Sequence, residues 1–393
     1  MTGTVSIGQR SVIGLVCLVA WLPVACNGLD EAGVGGVIVP AAGYDWPNTT
    51  RDYWPTEGWR TAAMEEHGLD ASRMSEAERF ASGDALTRCL LVVRGGYVVF
   101  ESYYGDGSRE SATNLWSVTK SVTSAVVGIA VDHGYIGSVD QLMTDYLPQY
   151  PGFDGIRVRH ALSQTTGLSW AEEGPPFARW ALSADWVAEA LDRGSAHPPG
   201  EQFLYSSANS HFLSALIHAA SGRSPGELAE EHLFDPLGIR FDRLMETIRY
   251  SSWDGFKRPL PHSWRQDPAG LETGGFGLYL TAREMAKLGY LFLNQGRWDG
   301  QRLISESWVA ESTRDQQTDI YGRYSYGYQW WITLVGGHPS FLASGWGGQI
   351  IGVVPSLDLV VVIKYEAENP RDPEAGTSHD DMHLFELVVQ AVR

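Results

Sequence analysis

The sequence is poor in cysteine, in positive charge and in long apolar runs. Its cysteines are Cys17, Cys26 and Cys89 in a chain of 393 residues. The first two lie in the N-terminal segment, so Cys89 has no partner, a disulfide framework is excluded, and so is a cysteine-based metal site. Cys89 sits in an apolar run and reads as a small buried hydrophobe. Lys and Arg number 29 against 47 Asp and Glu, a net charge of −18. That argues against nucleic acid or an anionic membrane surface as a partner. The apolar stretch from Ser11 to Cys26 falls short of the roughly 20 residues that a membrane-spanning helix needs. No run of like charge reads as a tail, and no internal repeat is visible. What the chain does have is 44% hydrophobic and 19% charged residues, the composition of a globular protein with a sizeable core. Its 15 tryptophans and 17 tyrosines serve that core and an aromatic-rich cleft.

Residues 1–26 read as an export signal in which Arg10 is the only charged side chain. The segment ends Leu22-Pro-Val-Ala-Cys26, similar to a bacterial lipoprotein cleavage box apart from Pro23. Either Cys26 is lipidated and tethers the protein to a membrane, or cleavage is ordinary and close by; an uncleaved N-terminal anchor is the third option. The expected location is periplasmic or lipid-anchored at the bacterial envelope. Residues 27–74 read as a linker and wrapping segment bearing Trp46, Trp54 and Trp59, and residues 75–393 as the main domain.

Periodicity predicts a helix over 75–82 and a β-hairpin over 86–104 turning at Gly95-Gly96. An apolar helix then follows Ser117 and stops at His133-Gly134. Helices are expected at 158–163, 185–191, 208–220 and 227–233. Another at 281–294 opens on Thr281 with Glu284 three residues later, a capping-box pattern. Strands are expected at 324–334, 348–355 and 357–364, and a closing helix at 382–392. Strands at both ends around a helical block predict an α+β fold. It comprises an antiparallel sheet flanked by helices (about 75–116 and 262–393) with an inserted, mostly helical part (about 117–261).

The chemistry centres on Ser117-Val118-Thr119-Lys120. Positions i and i+3 share a helix face, so the amine can reach the hydroxyl. Serine needs a neighbouring base to act as a nucleophile, and lysine becomes one when burial lowers its pKa. The plain alternative is a capping serine beside a snorkelling lysine; against it, Lys120 lies in an apolar stretch where an unpaired charge is costly. Tyr205, in a loop after Pro198-Pro-Gly200, is a candidate second proton carrier, its pKa expected to be lowered by a nearby ammonium. Ala343-Ser-Gly-Trp-Gly-Gly-Gln349 is rich in small residues that let backbone approach a ligand.

With these residues in order, the chain resembles the serine β-lactamase and penicillin-binding-protein superfamily in its class C-like branch. Ser117 to Lys120 matches Ser-x-x-Lys, Tyr205-Ser206-Ser207 the Tyr-x-Asn motif, and Ala343-Ser344-Gly345 the Lys-Thr-Gly motif. Leu162-Ser-Gln-Thr-Thr-Gly-Leu168 and Gly275-Phe-Gly-Leu-Tyr-Leu-Thr-Ala282 are supporting phrases. The resemblance implies Ser117 as acylated nucleophile, with Lys120 and Tyr205 as general base and acid. It implies an oxyanion hole from the backbone N–H groups of Ser117 and Trp346, substrate contacts from Ser207, Ser344, Gly345 and Trp346, and no metal or organic cofactor. The implied partner is a small ester, amide or peptide-like substrate. Ser207 stands where the family often has asparagine; a hydroxyl there can still bond Lys120. Ala343 stands where β-lactamases carry the cation that binds a substrate carboxylate. This shifts the expectation towards esterases and amide hydrolases of the 6-aminohexanoate-dimer type.

Three rivals stand beside that reading: a β-lactamase, a D-alanyl-D-alanine carboxypeptidase, and a non-hydrolytic penicillin-binding or sensor protein. The peptidase would need Arg265 or Arg323 near Ser344 to bind a carboxylate. Trp116, Trp170, Tyr328 and Trp346 are candidate cleft residues. Gly222-Arg-Ser-Pro-Gly226 matches a nucleophile elbow, but Ser224-Pro225-Gly226-Glu227 reads better as a helix start. His379-Asp-Asp-Met-His383 reads as caps and charge for the last helix rather than a metal cluster.

Overall fold

The computed structural model describes residues 43–242, 262–366 and 381–393; the expected export signal, Cys26 and His379 lie outside them. Eight strands form one sheet: β1 (Thr87–Arg94), β2 (Tyr97–Tyr103), β3 (Gln317–Ile320), β4 (Tyr324–Tyr326), β5 (Trp331–Val335), β6 (His338–Gly345), β7 (Gln349–Val354) and β8 (Leu359–Tyr365). Their order is β2-β1-β8-β7-β6-β5-β4-β3, and the paired strands all run antiparallel. The last six strands are thus a meander whose final member docks on the first hairpin. Every residue of β8 is buried, which suits its apolar run Leu359–Ile363 at the centre of a sheet covered on both faces. Gly95 and Gly96 turn the first hairpin at φ 59° and 88°, the left-handed pair that matches strand twist.

Among the described residues, the helices of ten residues or more are α1 (Ala71–Gly83), α2 (Val118–Asp132), α3 (Ser207–Ser221), α4 (Ala282–Leu293) and α5 (Asp381–Gln390). α1 and α5 cover one sheet face, where Met74, Ala77, Leu384 and Val388 pack with Leu90, Val361 and Ile363. α2, α3 and α4 contribute to the core on the other face, with Leu91, Val93, Ile351, Val360 and Val362. Alternate residues of the central strands β1, β7 and β8 feed the two cores, as the period of two requires. The second core runs without interruption from the sheet into the helices between residues 118 and 237. The Thr281–Glu284 capping box forms as expected. Ser224 caps Pro225–Ala229, with Glu227 completing its box, so the elbow-like motif is a helix start.

The expected strand 324–334 is broken. Gly327 N–H bonds the Trp330 carbonyl at 2.8 Å, Gln329 takes φ 65°, and its amide donates to the carbonyls of Ala161 and Leu162 at 3.0 and 2.8 Å. A side chain called away to satisfy a buried loop ends the ladder there. Tyr328, expected in the cleft, is 2% exposed and packs on Trp308; it belongs to the core.

The segment before α1 is stitched across the domain. Arg51 makes a bidentate pair with Asp358 at 2.7 and 2.8 Å and bonds Asn294 at 2.7 Å. Trp59 donates to the Arg283 carbonyl at 2.9 Å. Arg60 and Ala62 hydrogen-bond Val98, covering the open edge of β2. Arg51→Ala leaves the largely buried Asp358 carboxylate unpaired. It is expected to destabilise the protein by about 3 kcal/mol, read as a lower urea midpoint with turnover at low denaturant unchanged.

Candidate active site

Ser117 is delivered by a tight, polar-braced connection. The Asn114 side-chain oxygen accepts from the N–H groups of Trp116 and Gly277 at 2.9 and 3.2 Å, and Leu115 N–H bonds the Leu278 carbonyl at 2.8 Å. Trp116 sits at φ 49°, a left-handed backbone that costs a bulky residue of order 1–3 kcal/mol and persists where surroundings impose it. The next residue, Ser117, is the N-cap of α2, yet its side chain makes no capping bond. Its hydroxyl instead meets Lys120 Nζ at 3.0 Å.

Lys120 is 1% exposed. Besides Ser117, Nζ donates to Ser207 Oγ at 3.0 Å and to the Gly275 carbonyl at 2.9 Å. Burial lowers its pKa to about 8, against the opposing pull of the Glu172 carboxylate. Burial first, then the Glu172 charge, push the pKa of the Tyr205 hydroxyl well above that of a free phenol, against the opposing pull of Ser117. The expected lowering by a neighbouring ammonium is therefore corrected: the Lys120 amine lies 4.8 Å from the Tyr205 ring centre, but burial and a carboxylate outweigh it. Tyr205 stacks on Trp331 at 5.6 Å. Its loop is pinned by buried Gln164, which takes φ 61°. The Gln164 backbone carbonyl accepts from Leu204 at 2.8 Å, and its side-chain oxygen from Ser206 at 3.0 Å.

Ser207 is the first residue of α3 and is 2% exposed. On the other side, β6 ends beside Ser117: Ser344 pairs with Ile350 and Gly345 with Gln349. A Cβ on Gly345 would overlap the Leu115 carbonyl and lie 3.2 Å from Ser117 N, so the strand end can sit there only as glycine. Trp346 meets Trp116 edge-on at 4.9 Å. Ala343 is fully buried in the core, leaving no cation at that place. Arg265 is buried, donating to the Tyr279 hydroxyl at 2.9 Å. Arg323 is exposed and stacks on Tyr324.

Two participants escaped the sequence reading. The Gly275 carbonyl holds Lys120, and a backbone acceptor leaves no side-chain signal. Glu172, in the segment before the helix Gly174–Leu182, accepts from Trp170 Nε1 at 2.5 Å and from Ser207 N–H at 2.8 Å, and its other oxygen takes the Ser207 hydroxyl. Trp170 is half-buried beside the site, with the Arg193 guanidinium 4.3 Å from its ring centre.

A serine at a helix start, a buried lysine one turn on, a tyrosine from the loop that leads into α3 and a strand end closing the fourth side define a member of the penicillin-recognising hydrolase fold. A profile of the Beta-lactamase family matches residues 73–381, and the chain belongs to that family. It is 26% identical over 319 residues to 6-aminohexanoate-dimer hydrolase of Paenarthrobacter ureafaciens, covering 74% of this chain and 75% of that one. Among solved structures, a family VIII carboxylesterase aligns with a TM-score of 0.60 at 19% identity, over 82% of this chain and 97% of that one. A penicillin-binding protein homologue from Caulobacter crescentus aligns with a TM-score of 0.58 at 19% identity, over 83% and 99%.

Proposed function

We propose that the protein hydrolyses an ester or amide bond through a covalent acyl-enzyme on Ser117. The observation that carries this reading is the position of a buried lysine, its pKa brought down to about 8, with its amine 3.0 Å from the serine hydroxyl. The two titratable partners of Ser117 are pushed apart: Lys120 downward, Tyr205 upward. Groups so separated divide into base and acid. Neutral Lys120 takes the Ser117 proton as Oγ attacks the carbonyl carbon. Tyr205, protonated at neutral pH, gives its proton to the leaving oxygen or nitrogen as the C–O or C–N bond breaks, and is reprotonated from Lys120. Water then attacks the acyl carbon, and the same groups return the proton to Ser117. The backbone N–H groups of Ser117 and Trp346 receive the negative charge on the carbonyl oxygen.

The buried alanine at position 343 favours substrates without a carboxylate beside the scissile bond, and so an esterase or linear-amide hydrolase over a β-lactamase or carboxypeptidase. Similarity to a 6-aminohexanoate-dimer hydrolase supports the same direction. Export to the bacterial envelope, read from residues 1–26, belongs to the same proposal.

The test is covalent capture. A fluorophosphonate probe is expected to add one label per chain, mapped by peptide mass to Ser117, and to leave Ser117→Ala unlabelled. Label on another residue, or none on folded protein that also fails to turn over p-nitrophenyl butyrate, would sink the proposal.

A further inference from the structure

Glu172 is the most heavily engaged carboxylate at the site, and its bonds have a direction. Oε2 accepts two N–H groups, from Trp170 at 2.5 Å and Ser207 at 2.8 Å. Oε1 accepts the Ser207 hydroxyl proton. A carboxylate that is ionised can only accept, so the Ser207 proton is committed to Glu172 and the Ser207 oxygen faces Lys120 with lone pairs alone. The Gly275 carbonyl, the other neighbour of Nζ, is likewise only an acceptor. A neutral lysine amine has two N–H bonds and one lone pair. With two acceptors taking the N–H bonds, the lone pair is left for the third neighbour, Ser117.

We infer that Glu172 is a positioning residue for acylation: by holding the Ser207 proton it fixes the polarity of the Ser207–Lys120 hydrogen bond and so aims the Lys120 lone pair at Ser117. The inference rests on Lys120 being the base for Ser117. Three of the four lone-pair directions of the carboxylate are occupied internally, which fits a structural anchor better than a site for a substrate cation. The anchor also sits at the N-terminus of α3, where a negative charge is favoured. When Lys120 has taken the proton, its three N–H bonds meet three acceptors, Ser117, Ser207 and Gly275, so the same frame holds both states without rearrangement.

Glutamine is the telling substitution. The two N–H donors at the Oε2 place require oxygen there, so the amide –NH₂ must occupy the Oε1 place and donate to Ser207. The Ser207 hydroxyl proton is then released towards Lys120, where it competes with Ser117 for the lone pair. Glu172→Gln is expected to lower kcat/KM for p-nitrophenyl butyrate by about tenfold to 100-fold on the pH plateau, with an unchanged melting temperature. In a Ser207→Ala background, which has no hydroxyl to reverse, the same change is expected to cost less than about threefold, the non-additivity of groups acting as a unit. Glu172→Asp, which keeps the acceptor-only character, is expected to recover part of the loss.

A second readout follows from charge. The titratable groups facing Lys120 are Glu172 and the Tyr205 phenol. Removing the Glu172 charge lets burial lower the lysine further. The acidic limb of the kcat/KM profile therefore moves to lower pH in both backgrounds, while the plateau falls only where Ser207 is present. An equal plateau loss with and without the Ser207 hydroxyl, or a Glu172→Gln enzyme within twofold of wild type, overturns the inference. Full activity in Ser117→Ala would overturn the acyl-enzyme reading beneath it as well.

Discussion

Replacing Lys120 by methionine is expected to lower kcat/KM for an activated ester by about 10³-fold, the scale of losing a positioned general base. Methionine keeps the length and apolar body of the buried side chain and removes only the amine that contacts Ser117, Ser207 and Gly275. Circular dichroism should show the fold retained. The wild-type profile carries the complementary expectation. Lysine works as a base only when unprotonated, so activity rises as pH climbs through the folded-state pKa. With that pKa at about 8, kcat/KM should increase close to tenfold per pH unit below it and level off above. At pH 8 half of the Lys120 population is neutral, against about 0.4% for a lysine at its ordinary value. A flat profile between about pH 6 and 9, or a Lys120→Met enzyme that still turns over, would remove lysine from the mechanism.

The second large effect is expected at Gly345, which donates no side chain at all. A methyl group there would run into the Leu115 carbonyl and crowd the Ser117 amide. Both belong to the connection that carries Ser117, and neither can move independently of the strained Trp116 between them. Gly345→Ala is expected to lower kcat by about 10²-fold or more, comparable to losing an oxyanion-hole donor. KM should change little, because the displaced groups act on the transition state. Gly83→Ala, where an added Cβ meets nothing within 4 Å, is the control and should match wild type. A Gly345→Ala enzyme with normal kcat would mean that the end of β6 does not border the reacting atoms.

The parts of this molecule that could be read from the chain are those written locally. α2 follows from a segment whose apolar residues lie nearly all round the helix, the first hairpin from alternation around two glycines, and the start of α4 from Thr281 and Glu284. β6 was less legible: Gly336, Gly337 and Pro339 suggest loop, yet the two glycines form the turn at φ 56° and 85° and Pro339 is accommodated opposite Leu334. The break between β4 and β5 depends on Gln329 reaching residues 161 and 162, a contact no local window contains. The candidate site shows the same division. Ser117 and Lys120 are one helical turn apart and visible together. Glu172 meets Ser207 across 35 positions of sequence, and only the fold brings them into register. The direction of the Tyr205 shift was misjudged because proximity to an amine can be guessed from sequence, whereas depth of burial cannot.

The family match begins at residue 73, but the strap formed by residues 44–62 is bound into the domain on three sides. Tyr44 bonds the Thr313 carbonyl, Arg51 clamps the turn before β8, and Arg60 and Ala62 close the rim of the sheet. The family match and the packed unit therefore begin at different places. Cut at the first, the chain would bare the backbone of β2, strip Trp59 from Tyr290 and open a strand edge to pairing with other chains. For this protein the unit expected to behave as a solitary molecule begins upstream of residue 73, where the family match starts.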